Sequence, residues 1–145
     1  MRIVTYPNPV LTTIALPYEI GEYVTPVIDG MRELIKASWR TPTRAVGLAA
    51  PQVGVGRRLF IMQPANESIV CINPVITWSN MDTSIQTEGC MSLPGFSAKV
   101  ERAKSIEVEF LDAQFELQKR TFDGMYARIF QHELDHLNGR LINGV

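Results

Sequence analysis

The run Gln131-His132-Glu133-Leu134-Asp135-His136 contains both histidines of the chain. Residues at i and i+4 share a helix face, so on a helix both imidazoles can reach one metal ion. Glu133 sits one residue round, close enough to handle a proton on a metal-bound water, which is the mechanical content of an HExxH pattern. Two imidazoles leave a third ligand to be found. The tail Leu137-Asn138-Gly139-Arg140-Leu141-Ile142-Asn143-Gly144-Val145 holds no His, Asp, Glu or Cys, so that ligand must lie upstream. Thiolate suits a site that already holds two imidazoles, and there are two cysteines. Cys71 lies in the apolar, β-branched run Ser68-Ile69-Val70-Cys71-Ile72-Asn73 and reads as a buried strand thiol. Cys90 lies in Thr87-Glu88-Gly89-Cys90-Met91-Ser92-Leu93-Pro94-Gly95, among turn formers whose backbone can bend around an ion. It is the candidate ligand; the alternatives are a plain loop cysteine or a disulfide with Cys71.

The elements that must position these groups read as α+β. Pro26 suits a first helical turn with Thr25 as its cap. Val27, Ile28, Met31, Leu34, Ile35 and Trp39 then follow helical spacing, which predicts a helix over 25–40 packed on a sheet. Strands are expected at 58–62, 69–76, 99–103, 105–111 and 115–121. The last two alternate cleanly, with Asp112-Ala113-Gln114 turning between them. Asp123 can cap a second helix over 124–138, ended by Gly139. The expected fold is small mixed or antiparallel sheets around a central metal-binding helix, with one N-terminal helix, in a single domain over 1–145.

Composition sets limits. The 145 residues are 46% hydrophobic and 20% charged, near globular averages. A net charge of −1 gives no footprint for nucleic acid or an acidic membrane surface. No apolar stretch approaches the roughly 18 residues of a membrane span. The opening Met1-Arg2-Ile3-Val4, followed by Pro7 and Pro9, has no signal-peptide pattern. Two cysteines, one of them a candidate ligand, suit a reducing compartment.

Three segments together resemble the signature motifs of peptide deformylases. They are Gly47-Leu48-Ala49-Ala50-Pro51-Gln52, Glu88-Gly89-Cys90-Met91-Ser92 and the His132 segment, in the family's order. The opening Tyr6-Pro7-Asn8-Pro9-Val10-Leu11 and the tract Val100-Glu101-Arg102-Ala103 fit as well. The resemblance implies removal of the formyl group from N-formylmethionyl nascent peptides, with release of formate. It implies one divalent metal on Cys90, His132 and His136, attack by metal hydroxide, and Glu133 as general base and then acid. The oxyanion would be met by the metal, the Gln52 side chain and the Met91 N–H. Val46, Gly47 and Gly89 would bind substrate, the first motif pairing with an extended peptide. Met125 and Ile129, on the histidine stripe, would wall the methionine pocket. Arg128 would lend its aliphatic stem there while its head stays in water. Glu88 and Arg102 could pair to hold Cys90, and Asp135, facing away from the histidines, should meet a basic side chain.

Residue types alone leave the metal open among iron(II), zinc, nickel and cobalt; the resemblance favours iron(II). It further implies a cytoplasmic monomer working near the ribosome, in a host cytoplasm if the gene is a phage's. Two positions depart from the family pattern. Ala45 stands where a glycine is usual, and Ser97 stands about where many relatives carry an arginine for the downstream end of the substrate. The sequence also stops soon after His136, without the C-terminal helix by which common bacterial forms dock near the ribosomal exit. That docking route is therefore in doubt, and short forms of this kind resemble phage-encoded deformylases. Two rival readings are an HExxH endopeptidase, which would cleave unformylated peptides, and an inactive relative that binds metal without turnover.

Overall fold

The computed structural model describes residues 1–145. The first helix, α1 (Thr25–Ser38), buries Ile28, Met31, Ile35 and Ser38 along one stripe, the spacing that an amphipathic helix requires. Val24, not Thr25, is its N-cap, and no side chain caps it. The helix ends short of the expected residue 40. The Ser38 hydroxyl donates back to Ile35 O (2.6 Å) and accepts from the Ala45 N–H (2.8 Å), turning the chain toward the next strand.

Five strands make the main sheet. They are β1 (Gly47–Ala49), β2 (Leu59–Met62), β3 (Ile69–Ser79), β6 (Ser105–Leu111) and β7 (Leu117–Asp123), in the order β1-β2-β3-β6-β7. The other two, β4 (Thr83–Gly89) and β5 (Ser97–Ala103), form a separate ribbon. Every named pairing is antiparallel; the one parallel contact is an isolated bridge from Leu16 to Arg57. The expected mixed or antiparallel architecture is thus observed, with two strands the sequence reading lacked, β1 and β4. The turn between β6 and β7 is longer than expected. The Asp112 carboxylate accepts from the N–H groups of Gln114 and Glu116, and Phe115 adopts a φ of 60°, so β7 starts at Leu117 rather than at 115.

The second helix, α2 (Gly124–Leu137), lies across one face of the main sheet. Phe60, Met62, Cys71, Val108 and Phe110 of the sheet pack there with Ala127, Ile129, Phe130 and Leu137 of the helix. The opposite face, with Leu48, Leu59, Ile61, Val70 and Ile72, packs on α1. Period-2 alternation along β2 sends Phe60 and Met62 to one layer and Leu59 and Ile61 to the other. This explains why a wholly apolar strand is needed. Asp123 occupies the N-cap of α2 as expected, but its side chain makes no capping bond; the Gly124 N–H donates to Lys104 O instead. Gly139, with φ of 71°, ends the helix. At that end Arg58 donates to Leu137 O (2.9 Å) and to the Asn138 side chain (3.0 Å), a cation where the helix dipole is negative. No helix is long and apolar enough to cross a membrane.

Candidate metal centre

Cys90 follows β4 directly, in a turn closed by the Leu93 N–H donating to Cys90 O. Two further ties hold this turn: the Tyr6 N–H donates to Ser92 O, and Leu93 is buried with Leu11 and Leu141 against Cys90. His132 and His136 stand one turn apart on α2, with ring centroids 5.0 Å apart. Cys90 Sγ lies 3.4 Å from His136 Nε2, and one ligand atom from each of the three residues falls within 4.8 Å of the others. Both cysteines are free, so the disulfide alternative is not realised. Cys71 is fully buried in β3, and burial pushes its thiol well up. It sits on the far side of the question, as core.

The ligand geometry is fixed by a polar network under the site. His132 Nδ1–H donates to Glu88 Oε1 (2.8 Å), which directs Nε2 away from the carboxylate and fixes the ring. Arg102 grips the same carboxylate with two bonds, Nε to Oε2 (3.0 Å) and Nη2 to Oε1 (2.9 Å). It extends its third nitrogen to Asp135 Oδ2 (2.6 Å). Burial works to raise Glu88, but the bonds from His132 and Arg102 overcome it and hold the carboxyl well below the usual carboxylate range. Glu88 is therefore a fixed anion. Arg128 departs from the sequence reading. Its head is not in water but donates to Glu88 Oε2, to Val100 O (3.0 Å) and to Ser84 O (2.8 Å). It thus ties α2 to both strands of the ribbon that carries Cys90. An isolated arginine in a helix gives no signal of this role, because its partners come from β4 and β5.

Glu133 is 4% exposed, and its Oε1 is buried without any hydrogen-bond partner. Burial lifts its carboxyl to about 7, against the pull of the His132 charge. Burial works to lower His132, but contacts with Cys90 and Glu88 outweigh it and raise the imidazole to about 10. His136 is lowered to about 3 by burial and then by the charge on His132. The donor set fits a borderline divalent ion: one sulfur and two imidazole nitrogens, converging beside a buried carboxylate oxygen that lacks a partner.

A cavity of about 410 Å³ opens over this cluster. The β1 side of the wall carries Val46, Gly47 and Gln52, and the ribbon side carries Gly89, Cys90 and Met91. Ile129, His132 and Glu133 of α2 supply the floor, and Met125 of the same helix lines the rim. Every residue assigned to substrate from the sequence thus lines one cavity, though Met125 is 63% exposed and belongs to its mouth. Gly47 is needed for close approach: a Cβ there would lie 2.7 Å from Glu133 Oε2 and 3.0 Å from an Ile129 methyl. Gln52 is 2% exposed in the short 3-10 turn Ala50–Val53. Its Oε1 accepts from the Ala49 N–H (3.0 Å), which turns Nε2 toward Cys90 Sγ (3.4 Å) and Ser92 Oγ (3.3 Å). Ser92, fully buried, is a participant that sequence reasoning did not single out. The Met91 N–H makes no hydrogen bond within the protein.

Comparison with known proteins agrees with this layout. The profile of the family described as polypeptide deformylase matches residues 1–143. A peptide deformylase of Thermotoga sp. strain RQ2 is 38% identical over 143 residues, spanning 97% of this chain and 84% of the relative. The crystal structure of a probable peptide deformylase from Synechococcus phage S-SSM7 superposes with a TM-score of 0.90 at 32% identity, covering 99% of this chain and 97% of that one. The peptide deformylase of Synechococcus elongatus, solved in complex with actinonin, superposes at 0.89 with 33% identity, covering 97% and 75%.

Proposed function

The chain belongs to the polypeptide deformylase family and is an enzyme that acts on formylated nascent peptides, and from that premise we propose how its residues perform the reaction. Cys90, His132 and His136 hold one divalent ion, with iron(II) as the working metal in the cytoplasm. Residues 1–145 act as one catalytic domain and as a monomer. A divalent ion held there supplies Lewis-acid chemistry, polarising a carbonyl oxygen and making a water acidic enough to attack near neutral pH. Glu133 takes the proton of the attacking water and returns it to the leaving amine. A buried carboxyl lifted to about 7 is matched to both duties. The Gln52 amide and the Met91 N–H donate to the oxygen of the formyl group as it gains charge. Glu88 orients His132.

The peptide lies in the cavity with its first side chain against Val46, Met125 and Ile129. Its backbone runs beside Gly47 on the open edge of β1, where strand addition is possible. Gly89 forms the facing wall. The observation that carries this reading is the Cys90, His132 and His136 cluster together with the partnerless carboxylate oxygen of Glu133, the residue after His132, with Cys90, His132 and Glu133 lining the one cavity that holds all the substrate candidates.

The test is formate release from formyl-Met-Ala-Ser, using anaerobic protein loaded with iron(II) or nickel, with Glu133→Ala in parallel. Release by the parent and none by the variant is expected. No release from a demonstrably loaded parent would sink the proposal. Cleavage of unformylated peptide bonds would favour an endopeptidase.

A further inference from the structure

The cavity mouth carries a cation that the deformylation chemistry does not use. Of the two arginines that line the cavity, Arg128 is consumed by Glu88, Val100 and Ser84. Arg44 is different. It is exposed, and it enters no ion pair. Its one hydrogen bond is from Nη2 to Pro64 O (3.1 Å). A guanidinium has five N–H donors in a fixed fork, so most of its capacity remains open.

This arginine is also held in place. Its guanidinium carbon lies 4.4 Å from the centroid of the Trp39 ring, within cation–π range. The ring in turn is anchored, because Trp39 Nε1–H donates to Ala45 O (2.9 Å). The Ala45 N–H is itself held by Ser38 Oγ (2.8 Å). A solvent-exposed arginine ordinarily gives up rotamer freedom when it is fixed by a ligand. Here the platform has removed much of that cost beforehand.

Position along the cavity assigns what this cation meets. The reacting end lies by Gln52 and Glu133, and Gly47 touches Glu133. A peptide on the β1 edge with its formyl end there must run past Val46 and Ala45 toward Arg44. Each residue of an extended chain advances about 3.3 Å, so Arg44 stands two to three residues downstream of formylmethionine.

Resting on the proposed deformylation of peptides in this cavity, we infer that Arg44 is a specificity-determining residue that selects an acidic side chain, aspartate or glutamate, at the third or fourth position of the formylated chain. The carboxylate is received by the open donors of the Trp39-stacked guanidinium, in the side-on or fork geometry such pairs adopt. The site is exposed, so the gain is modest and screened by salt.

The experiment compares formyl-Met-Ala-Glu-Glu-amide, the Gln-Gln peptide and the Lys-Lys peptide with the metal-loaded parent; amidation removes the terminal carboxylate as a competing anion. At low salt the Glu-Glu peptide should exceed the Gln-Gln peptide in kcat/KM by roughly fivefold, mostly through KM, with Lys-Lys below both. That preference should shrink at 0.5 M salt, a check that needs no variant. In Arg44→Glu the ratio of Glu-Glu to Lys-Lys should invert. Equal rates for the three peptides in the parent would overturn the inference alone. So would a parent preference that persists in Arg44→Glu. Absence of formate from all three would bring down the deformylation reading and this inference with it.

Discussion

Glu88 and Glu133 are two buried carboxylates that flank His132, and the fold treats them in opposite ways. Glu88 receives four donors: two from Arg102, one from Arg128 and one from His132. Glu133 Oε1 receives none. The first carboxyl is held well below its usual range, and the second is raised to about 7. Residue type and depth are shared; the supply of donors is not. The difference teaches where the site keeps fixed charge and where it keeps an exchangeable proton. The ribbon side of α2 is saturated and positions the proposed ligand His132, whereas the cavity side is left unsatisfied at Glu133 Oε1, on the residue proposed to handle protons.

The hardest blow to this contrast is on Glu133. Glu133→Gln keeps the shape and removes the exchangeable proton, so turnover should fall by about 100- to 10,000-fold. Metal content should hold, because the ligands are untouched. Formate release and metal analysis on the same sample check both halves. A variant that keeps a tenth of parent activity would assign the proton step elsewhere.

Sequence pattern reached one side of this contrast more easily than the other. Spacing alone brought His132, Glu133 and His136 to one helix, because i and i+4 periodicity is local. The partners of Glu88 are not local: Arg102 is on β5, Arg128 and His132 on α2. The pairing of Glu88 with Arg102 was legible as a charge match, but its bonds to His132 and Arg128 require knowing that the ribbon lies over the helix. The ribbon itself was half hidden for the same reason. In β4 the single large apolar residue, Ile85, is 63% exposed. The strand therefore shows no apolar alternation and is held by its ladder to β5 and by Arg128. β1 is only three residues, Gly47, Leu48 and Ala49, too short for any period. By contrast β6 is found at the predicted bounds, because Ile106, Val108 and Phe110 alternate against a true core.

Next in size is Glu88→Gln. Removing the anion strands Arg102, Arg128 and His132 around a neutral amide that has only one acceptor oxygen. Breaking a buried ionic cluster at one member typically costs about 3–5 kcal/mol, so Tm should fall by roughly 10 °C for a chain of this size. Metal should leave faster as His132 loses its brace. Calorimetry and chelator-driven metal release read the two effects. Stability close to the parent would mean that the donors, not the anion, organise the network.

The same contrast predicts how pH acts on the metal-free protein. Glu133 is raised from 4.5 to about 7, so its contribution is full below about pH 4.5 and is lost as pH rises through 7. His132, raised from 6.5 to about 10, contributes fully below 6.5 and loses that contribution as pH rises toward 10. Glu88 acts oppositely: its carboxyl is depressed, so its contribution is lost only as pH falls below the ordinary carboxylate range. Chelated protein should therefore lose Tm steadily from pH 6 to pH 9. A bound ion competes with the His132 proton, so the Tm gain on loading nickel or zinc should grow across that range. Thermal scans with and without metal test this, and a flat chelated profile would contradict it.

The smallest effect marks the outer limit of the saturated region. Asp135 accepts from Arg102 Nη1 at 2.6 Å, but its side chain is 34% exposed, against 7% for Glu88. Water can replace a lost partner there, and Arg102 keeps both of its bonds to Glu88. Asp135→Asn also preserves an acceptor oxygen. Its cost should stay under about 1 kcal/mol, with turnover within about twofold of the parent, since the residue does not line the cavity and partly exposed pairs contribute little. Measured beside Glu88→Gln under one set of conditions, it separates two designs for holding His132. If the two variants lose equal stability, the anchor is the whole chain from Glu88 through Arg102 to Asp135. If Asp135→Asn is nearly silent, the hold on the metal ligand ends at Glu88 and its two arginines.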